Sequence, residues 1–199
     1  MSNQTGIIIL AAGSSSRMGQ PKQLLEFRGE SMMHRAVRIA LSTGVEPVIV
    51  VLGAEADRVK EAVPQRAAVN VVYNEDWPLG MSSSLRSGVR YAMKYFPNLQ
   101  ALLFIVVDQP FVTSDLLSLL LAAYRDSRAL IVAARYQGTP GVPALFDRCL
   151  FNEMLALEGD QGARPLFEKY RHKLQTVPFP AGRFDLDTPD DFDRLMEEE

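Results

Sequence analysis

Residues 7–22 read IIILAAGSSSRMGQPK. The four branched apolar residues at 7–10 have the continuous hydrophobicity of a strand buried on both faces of a parallel sheet. The run stops at Ala11, Ala12 and Gly13, whose small side chains let backbone N–H groups come close to a ligand. Arg17 and Lys22 bring fixed positive charge to the same loop. These features together point to a grip on a polyphosphate. The loop is not a Walker A motif, because five residues separate Gly13 from Gly19 and Gln20-Pro21 stand before Lys22. It also lacks the G-x-G-x-x-G of a dinucleotide fingerprint. The bland alternative is an ordinary strand-to-helix turn with solvated Arg17 and Lys22.

Outward from this loop, apolar runs alternate with helical patterns. Strands are expected at 48–52, 69–73, 101–107 and 130–134. Helices are expected from about Ser31, over 56–62, over 82–96 and from about Ser114. This order predicts an α/β protein with a three-layer α/β/α, Rossmann-like arrangement and a mostly parallel sheet. Right-handed crossovers then bring the strand C-termini to one edge, and with them the Gly13 loop and Asp108. Beyond residue 135 the pattern predicts a glycine- and proline-rich loop at 136–142, short helices at 146–157 and 163–170, and an edge strand at 174–177. No linker divides residues 1–199, which are expected to form one domain. Within it, about 1–110 carries the polyphosphate grip, and about 135–185 is expected to supply the other side of one cleft.

A formal charge of −3 leaves no basic footprint for nucleic acid or an anionic membrane. No apolar run reaches membrane-spanning length, and MSNQTG at the start lacks the regions of a signal peptide. A cytoplasmic location is the resulting expectation. Cys149 is the single cysteine, which excludes an internal disulfide and a thiolate metal cage. His34 and His172 have no carboxylate or cysteine partner at metal spacing. There is no serine-histidine-acid pattern of a hydrolase.

Polyphosphate chemistry calls for a divalent cation, and magnesium prefers one or two carboxylates with phosphate and water. Asp108 follows the buried run 104–107 and stands at a strand tip beside the loop. It would repel a polyphosphate unless a metal intervened, although a carboxylate there can also cap the next turn. In Phe184-Asp185-Leu186-Asp187-Thr188-Pro189-Asp190-Asp191, Thr188 fits a helix N-cap and Pro189 the first helical position. Asp190 and Asp191 suit the helix dipole. Asp187, just outside the helix, and Asp185, two residues earlier and on the same side if the segment is extended, are left over as candidates. At 80–85, Gly-Met-Ser-Ser-Ser-Leu opens a helix, and its serines serve either as caps or as ligand contacts.

The pattern L-A-A-G-x-x-x-R-M-G-x-x-K from Leu10 to Lys22 resembles the signature of the molybdopterin cytidylyltransferase and guanylyltransferase group. The D-x-D-T-P-D-D stretch ending at Asp191, the G-M-x-x-S-L element at Gly80, a G-x-x-G-x-P-x-x-F stretch from Gly138 and G-D-x-G-A-R at 159–164 resemble further motifs of that group, in its order. The resemblance implies the nucleotidyltransferase fold and transfer of a nucleoside monophosphate to the phosphate of molybdopterin, releasing pyrophosphate. It implies catalytic roles for Lys22, Arg17 and Asp108, and Mg2+ held by Asp108 and Asp187. Nucleotide contacts fall to Leu10, Ala11, Ala12, Gly13, Arg17, Lys22, Gly80, Met81, Ser82 and Ser84. Acceptor contacts fall to Gly138, Gly141, Pro143 and Arg164. Ala12 matches the cytidylyl branch, so CTP is the expected donor and GTP the alternative. A molybdoenzyme or its maturation factor is the implied recipient. A sugar-phosphate nucleotidylyltransferase and a non-catalytic cofactor-binding accessory protein are the competing readings.

Overall fold

The apolar run at 7–10 lies in β1 (Thr5–Ala11), inside a seven-stranded sheet. The computed structural model describes residues 4–65 and 68–197. β1 pairs in parallel with β4 (Val48–Leu52) on one side and β6 (Ala101–Val106) on the other. β5 (Val69–Tyr73) extends the sheet beyond β4 and closes that edge. On the other flank, β8 (Thr139–Asp147), β7 (Ile131–Tyr136) and β9 (Leu174–Pro178) follow β6 in that order. A two-residue pairing of β2 (Glu26–Phe27) with β3 (Glu30–Ser31) stands apart. The sequence pattern did not signal it.

Alternation along the strands sorts side chains into two cores. Ile7, Ile9, Val48 and Val50 face the layer of α1 (Met32–Leu41), α2 (Ala56–Glu61), α4 (Ser114–Asp126) and α7 (Pro189–Glu197). Ile8, Ile49 and Val51 face α3 (Met81–Tyr95), α5 (Phe151–Leu155) and α6 (Arg164–Lys169). Helices thus cover both faces, which makes the three-layer α/β/α arrangement. Ile7, Ile8 and Ile9 have no exposed surface, as a central parallel strand requires. The helix starts follow capping chemistry. Ser31 Oγ accepts from His34 N–H at 3.2 Å to open α1, and Thr113 Oγ1 accepts from Leu116 N–H at 3.2 Å to open α4. Among the described residues, no helix is long and apolar enough to cross a membrane.

The region after 135 departs from expectation. Residues 136–142 are not a loop but the tip of a hairpin between β7 and β8. Its two-residue turn, Gln137-Gly138, has φ of +50° and +79°, the left-handed pair that a tight hairpin needs. Phe146 does not begin a helix. Residues 144–147 complete β8, paired antiparallel with β6, and helical structure starts at Arg148. A short apolar run such as Ala144-Leu145-Phe146 suits a buried strand and a buried helix equally, and here the open edge of β6 decided. Pro143 lacks an N–H, and it falls where the β7–β8 register shifts, between Ala133↔Ala144 and Ala134↔Gly141. The parallel sheet therefore carries one reversed strand.

Candidate active site

β4 and β6 flank β1 on opposite sides, so the crevice beyond the C-terminal ends of β1 and β6 is a topological switch point, where open α/β sheets bind ligands. A cleft of about 640 Å3 lies there. Leu10, Ala11, Ala12, Gly13 and Arg17 form one wall, and Lys22, Asp108 and Asp187 form its floor. Trp77, Leu79, Gly80, Met81, Ser84, Gly159 and Asp160 stand opposite.

At the floor, Lys22 Nζ donates to Asp108 Oδ2 at 3.2 Å and to Asp187 Oδ1 at 2.5 Å. Arg17, largely exposed, reaches Asp187 Oδ2 through Nη2 at 3.0 Å. The hydrogen bond from Lys22 is the main reason that the Asp187 carboxyl titrates below the usual range, and Arg17 adds to it. Residues 170 and 86 positions apart meet here because the segment before α7 is pinned on both sides. Leu186 N–H donates to Asp108 O at 3.0 Å while its side chain enters the core. Beyond Asp187, Thr188 and Asp191 form a capping box. Thr188 N–H donates to Asp191 Oδ2 at 2.8 Å, and Asp191 N–H to Thr188 Oγ1 at 3.3 Å.

The condition that would put Asp185 beside Asp187, an extended segment, is not met. Asp187 N–H donates to Asp185 O at 3.1 Å and closes a tight turn about Leu186. Asp185 Oδ1 then accepts from Gln109 Nε2 at 3.2 Å, whereas Asp187 meets Lys22. Much of residue Asp185 stays exposed, but its carboxyl is pushed up to about 6, first by partial desolvation and then by the charge of Asp108. Among the described residues, no group of three or more His, Cys, Asp or Glu side chains could hold a metal. Two carboxylates converging on one ammonium are nevertheless the donor set that a magnesium ion uses when phosphate oxygens and water complete its shell. Asp108 and Asp187 fit a metal that arrives with a polyphosphate.

The sequence reading overlooked two elements of the first wall. Gln23, buried in the short turn with Lys22, donates from Nε2 to Ala11 O at 2.8 Å and to Gly13 O at 3.2 Å. Ala54 N–H donates to Ala12 O at 3.1 Å. A Cβ at Gly53 would stand 2.7 Å from both Ala12 Cβ and Trp77 Cβ, so only glycine admits this approach. Gln23 follows directly on the Lys22 signal, but nothing in its own type marks it; Gly53 and Ala54 lie in another turn altogether.

On the opposite wall, Gly80 has φ +95° and Ser84 Oγ accepts from Asn74 Nδ2 at 3.0 Å. Ser82 corrects the expectation: it is fully buried, its Oγ donates to Glu158 O at 3.1 Å, and it does not line the cleft. Met81 is exposed at the rim, and its N–H donates to Asp160 Oδ1 at 3.0 Å. The residues expected on the acceptor side are elsewhere. Gly138 is in the hairpin turn, Gly141 and Pro143 are in β8, and Arg164 opens α6. None of these four lines the cleft; the last third of the chain enters it through Gly159, Asp160 and Asp187.

Comparison with known proteins places this geometry. Residues 7–175 match the family described as MobA-like NTP transferase domain. The chain is 34% identical to nicotine blue oxidoreductase of Paenarthrobacter nicotinovorans over 79% of this chain and 78% of that protein. It is 29% identical to purine catabolism protein PucB of Bacillus subtilis (strain 168), over 94% of each. Identity to molybdenum cofactor cytidylyltransferase of Escherichia coli (strain K12) is 25%, over 93% of this chain and 92% of that one. The solved structure of Rv0371c from Mycobacterium tuberculosis H37Rv in complex with manganese is 28% identical. It superposes with a TM-score of 0.79 over 98% of this chain and 100% of that chain. These names differ in substrate, but the family match spans both the loop after β1 and Asp108. The chain belongs to the MobA-like NTP transferase family and is a nucleotidyltransferase.

Proposed function

We propose that this enzyme transfers CMP from CTP to the terminal phosphate of molybdopterin and releases pyrophosphate. The observation that carries the reading is the floor of the cleft, where Lys22 joins Asp108 to Asp187 beneath the loop after β1. An acceptor phosphate oxygen bonds to the α-phosphorus of CTP, the bond to the β-phosphate oxygen breaks, and pyrophosphate departs with its electron pair. The acceptor is already ionised near neutral pH, so the step needs positioning and charge stabilisation more than a general base. Lys22 and Arg17 offset the charge that grows on pyrophosphate. Asp108 and Asp187 would hold magnesium, which would supply neutralisation of phosphate charge and polarisation of the α-phosphate.

Backbone groups of Leu10, Ala11, Ala12 and Gly13 cradle the nucleotide, with Gly80, Met81 and Ser84 opposite. Ala12 supports cytosine over guanine through the resemblance of Leu10-Ala11-Ala12-Gly13 to the cytidylyl branch. The named cytidylyltransferase relative supports molybdopterin as acceptor; Arg164, at the start of α6 and outside the cleft lining, is the cation proposed to meet its phosphate. The test is pyrophosphate release from CTP, GTP, ATP and UTP with molybdopterin or a sugar 1-phosphate. CTP with molybdopterin is expected to be fastest. Turnover with the sugar phosphate and none with the pterin would sink the acceptor assignment; a preference for GTP would sink the base assignment.

A further inference from the structure

We propose that Gln23 is the positioning residue that gives the phosphate loop its polarity, with carbonyls turned into the protein and amides left for an anion. The inference rests on the reading that this cleft takes a nucleoside triphosphate. Three successive carbonyl oxygens in the loop are already held by donors of the protein. Both hydrogens of Gln23 Nε2 are used, one on Ala11 O and one on Gly13 O, and Ala54 N–H takes Ala12 O between them. Among the described residues, the amides of Gly13, Ser14, Ser16 and Arg17 have no acceptor in the protein. Carbonyl oxygens carry partial negative charge and would repel phosphate, whereas amides facing one concavity attract it.

No side chain braces the loop at Gly13, where a Cβ would meet nothing within 4 Å, and its carbonyl is held by the hydrogen bond from Gln23. Gln23 grips the carbonyls on either side of Ala12 and fixes both planes. The amide carries a cost that points to its donors. Gln23 is 3% exposed, and its Oε1 is buried without a partner. A methionine would fill the same space with no orphaned oxygen. The neighbouring Lys22 N–H donates to Ser15 Oγ at 3.0 Å, so one short turn sets both the ammonium and the polarity of the loop.

The experiment uses the full chain with inorganic tripolyphosphate and CTP as probes, in Gln23→Met and Gln23→Glu. Both variants keep the length of the side chain and remove its donors. Calorimetry is expected to show tripolyphosphate and CTP affinities at least tenfold weaker in Gln23→Met, and weaker again in Gln23→Glu, where a carboxylate faces the carbonyls. A folded Gln23→Met that binds both probes as the wild type does overturns the proposal, and a lower melting temperature with unchanged affinity assigns Gln23 to stability alone. Should neither variant fold, amide NMR of the wild type decides. Tripolyphosphate should shift the backbone amides of Gly13, Ser14 and Ser16 and leave the Gln23 side-chain NH2 protected from exchange and unshifted. An NH2 group that moves on binding, or exchanges freely, overturns it. A wild type whose tripolyphosphate binding depends on Gln23, but which releases pyrophosphate from no nucleotide, overturns the transfer reading and leaves this one standing.

Discussion

The loop after β1 and the β7–β8 hairpin are built from the same kinds of residue, yet they offer a ligand opposite things. Each has two glycines, proline and a nearby arginine, the hairpin with a second proline at Pro143. In the hairpin the backbone is consumed by the sheet: Tyr136 pairs with Thr139, Arg135 with Pro140 and Ala134 with Gly141. Gly141 is glycine because Tyr136 lies on it, where a Cβ would come within 2.3 Å of the phenol oxygen. In the loop after β1 the carbonyls are tied inward, the amides are unspent, and Gly13 has open space around it. Glycine thus serves approach by a ligand in one place and approach by the protein itself in the other. Composition does not distinguish the two; the hydrogen-bond partners of the backbone do.

Lys22→Ala should break the loop side of this contrast most severely. Losing the one ammonium at the floor is expected to lower kcat by about 10²–10³-fold, the range seen when a single charge-stabilising donor is removed. Arg164→Ala, on the hairpin side, should act through the KM for acceptor with kcat nearly unchanged. Steady-state kinetics in both substrates separates the two, and equal kcat losses would erase the distinction. A pair of glycine variants tests the backbone argument itself. Gly141→Ala should destabilise the fold by about 1–3 kcal/mol through overpacking against Tyr136. Gly13→Ala should leave stability within about 0.5 kcal/mol of the wild type, as surface changes do, and weaken CTP binding instead. Denaturant melts and nucleotide titrations on both proteins would show a reversed pattern if the comparison is wrong.

Two smaller effects concern the segment that carries Asp187. Asp191→Ala removes the carboxylate that accepts from the amides of Asp187 and Thr188, and should cost about 1 kcal/mol as a lost cap. A thermal melt unchanged from wild type would show that the capping box does not hold the segment. Asp185 should give the weakest signal. Its folded carboxyl titrates near 6 against an ordinary 3.8, so between these values the folded protein keeps a proton that the unfolded chain has released. Stability from this group therefore falls as pH rises from about 4 to 6 and stays lower above. Asp185→Asn should flatten that slope in melts across the window; an unaltered slope would remove Asp185 as its source.

Much of the cleft's first wall and floor was legible along the chain. The run at 7–10, its abrupt end at Ala11-Ala12-Gly13 and the charges on Arg17 and Lys22 lie within sixteen consecutive residues, and the alternation of strand and helix patterns placed Asp108 at the same edge. Capping chemistry at Thr188 and Pro189 likewise set apart Asp187. The region after residue 135 was less legible because β8 exists only through its partners. Leu145 and Phe146 become strand residues by pairing with Leu103 and Leu102, which precede them by more than forty positions. Ser82 shows a similar limit: a serine at a helix start can face a ligand or a neighbouring loop, and contact with Glu158 and Gly159 decided for the loop.

Local chemistry thus sufficed for the strand, the abrupt turn after it, the helix caps and the identity of the charged groups, because each depends on side chains and dihedral preferences within a few residues. Tertiary structure alone decided which carboxylates meet Lys22, how Asp185 accepts from Gln109 instead, which way β8 runs and which backbone groups remain free. Those outcomes depend on hydrogen bonds between distant segments, such as Leu186 to Asp108 and Ala54 to Ala12, and no local pattern encodes a partner that the chain reaches only by folding.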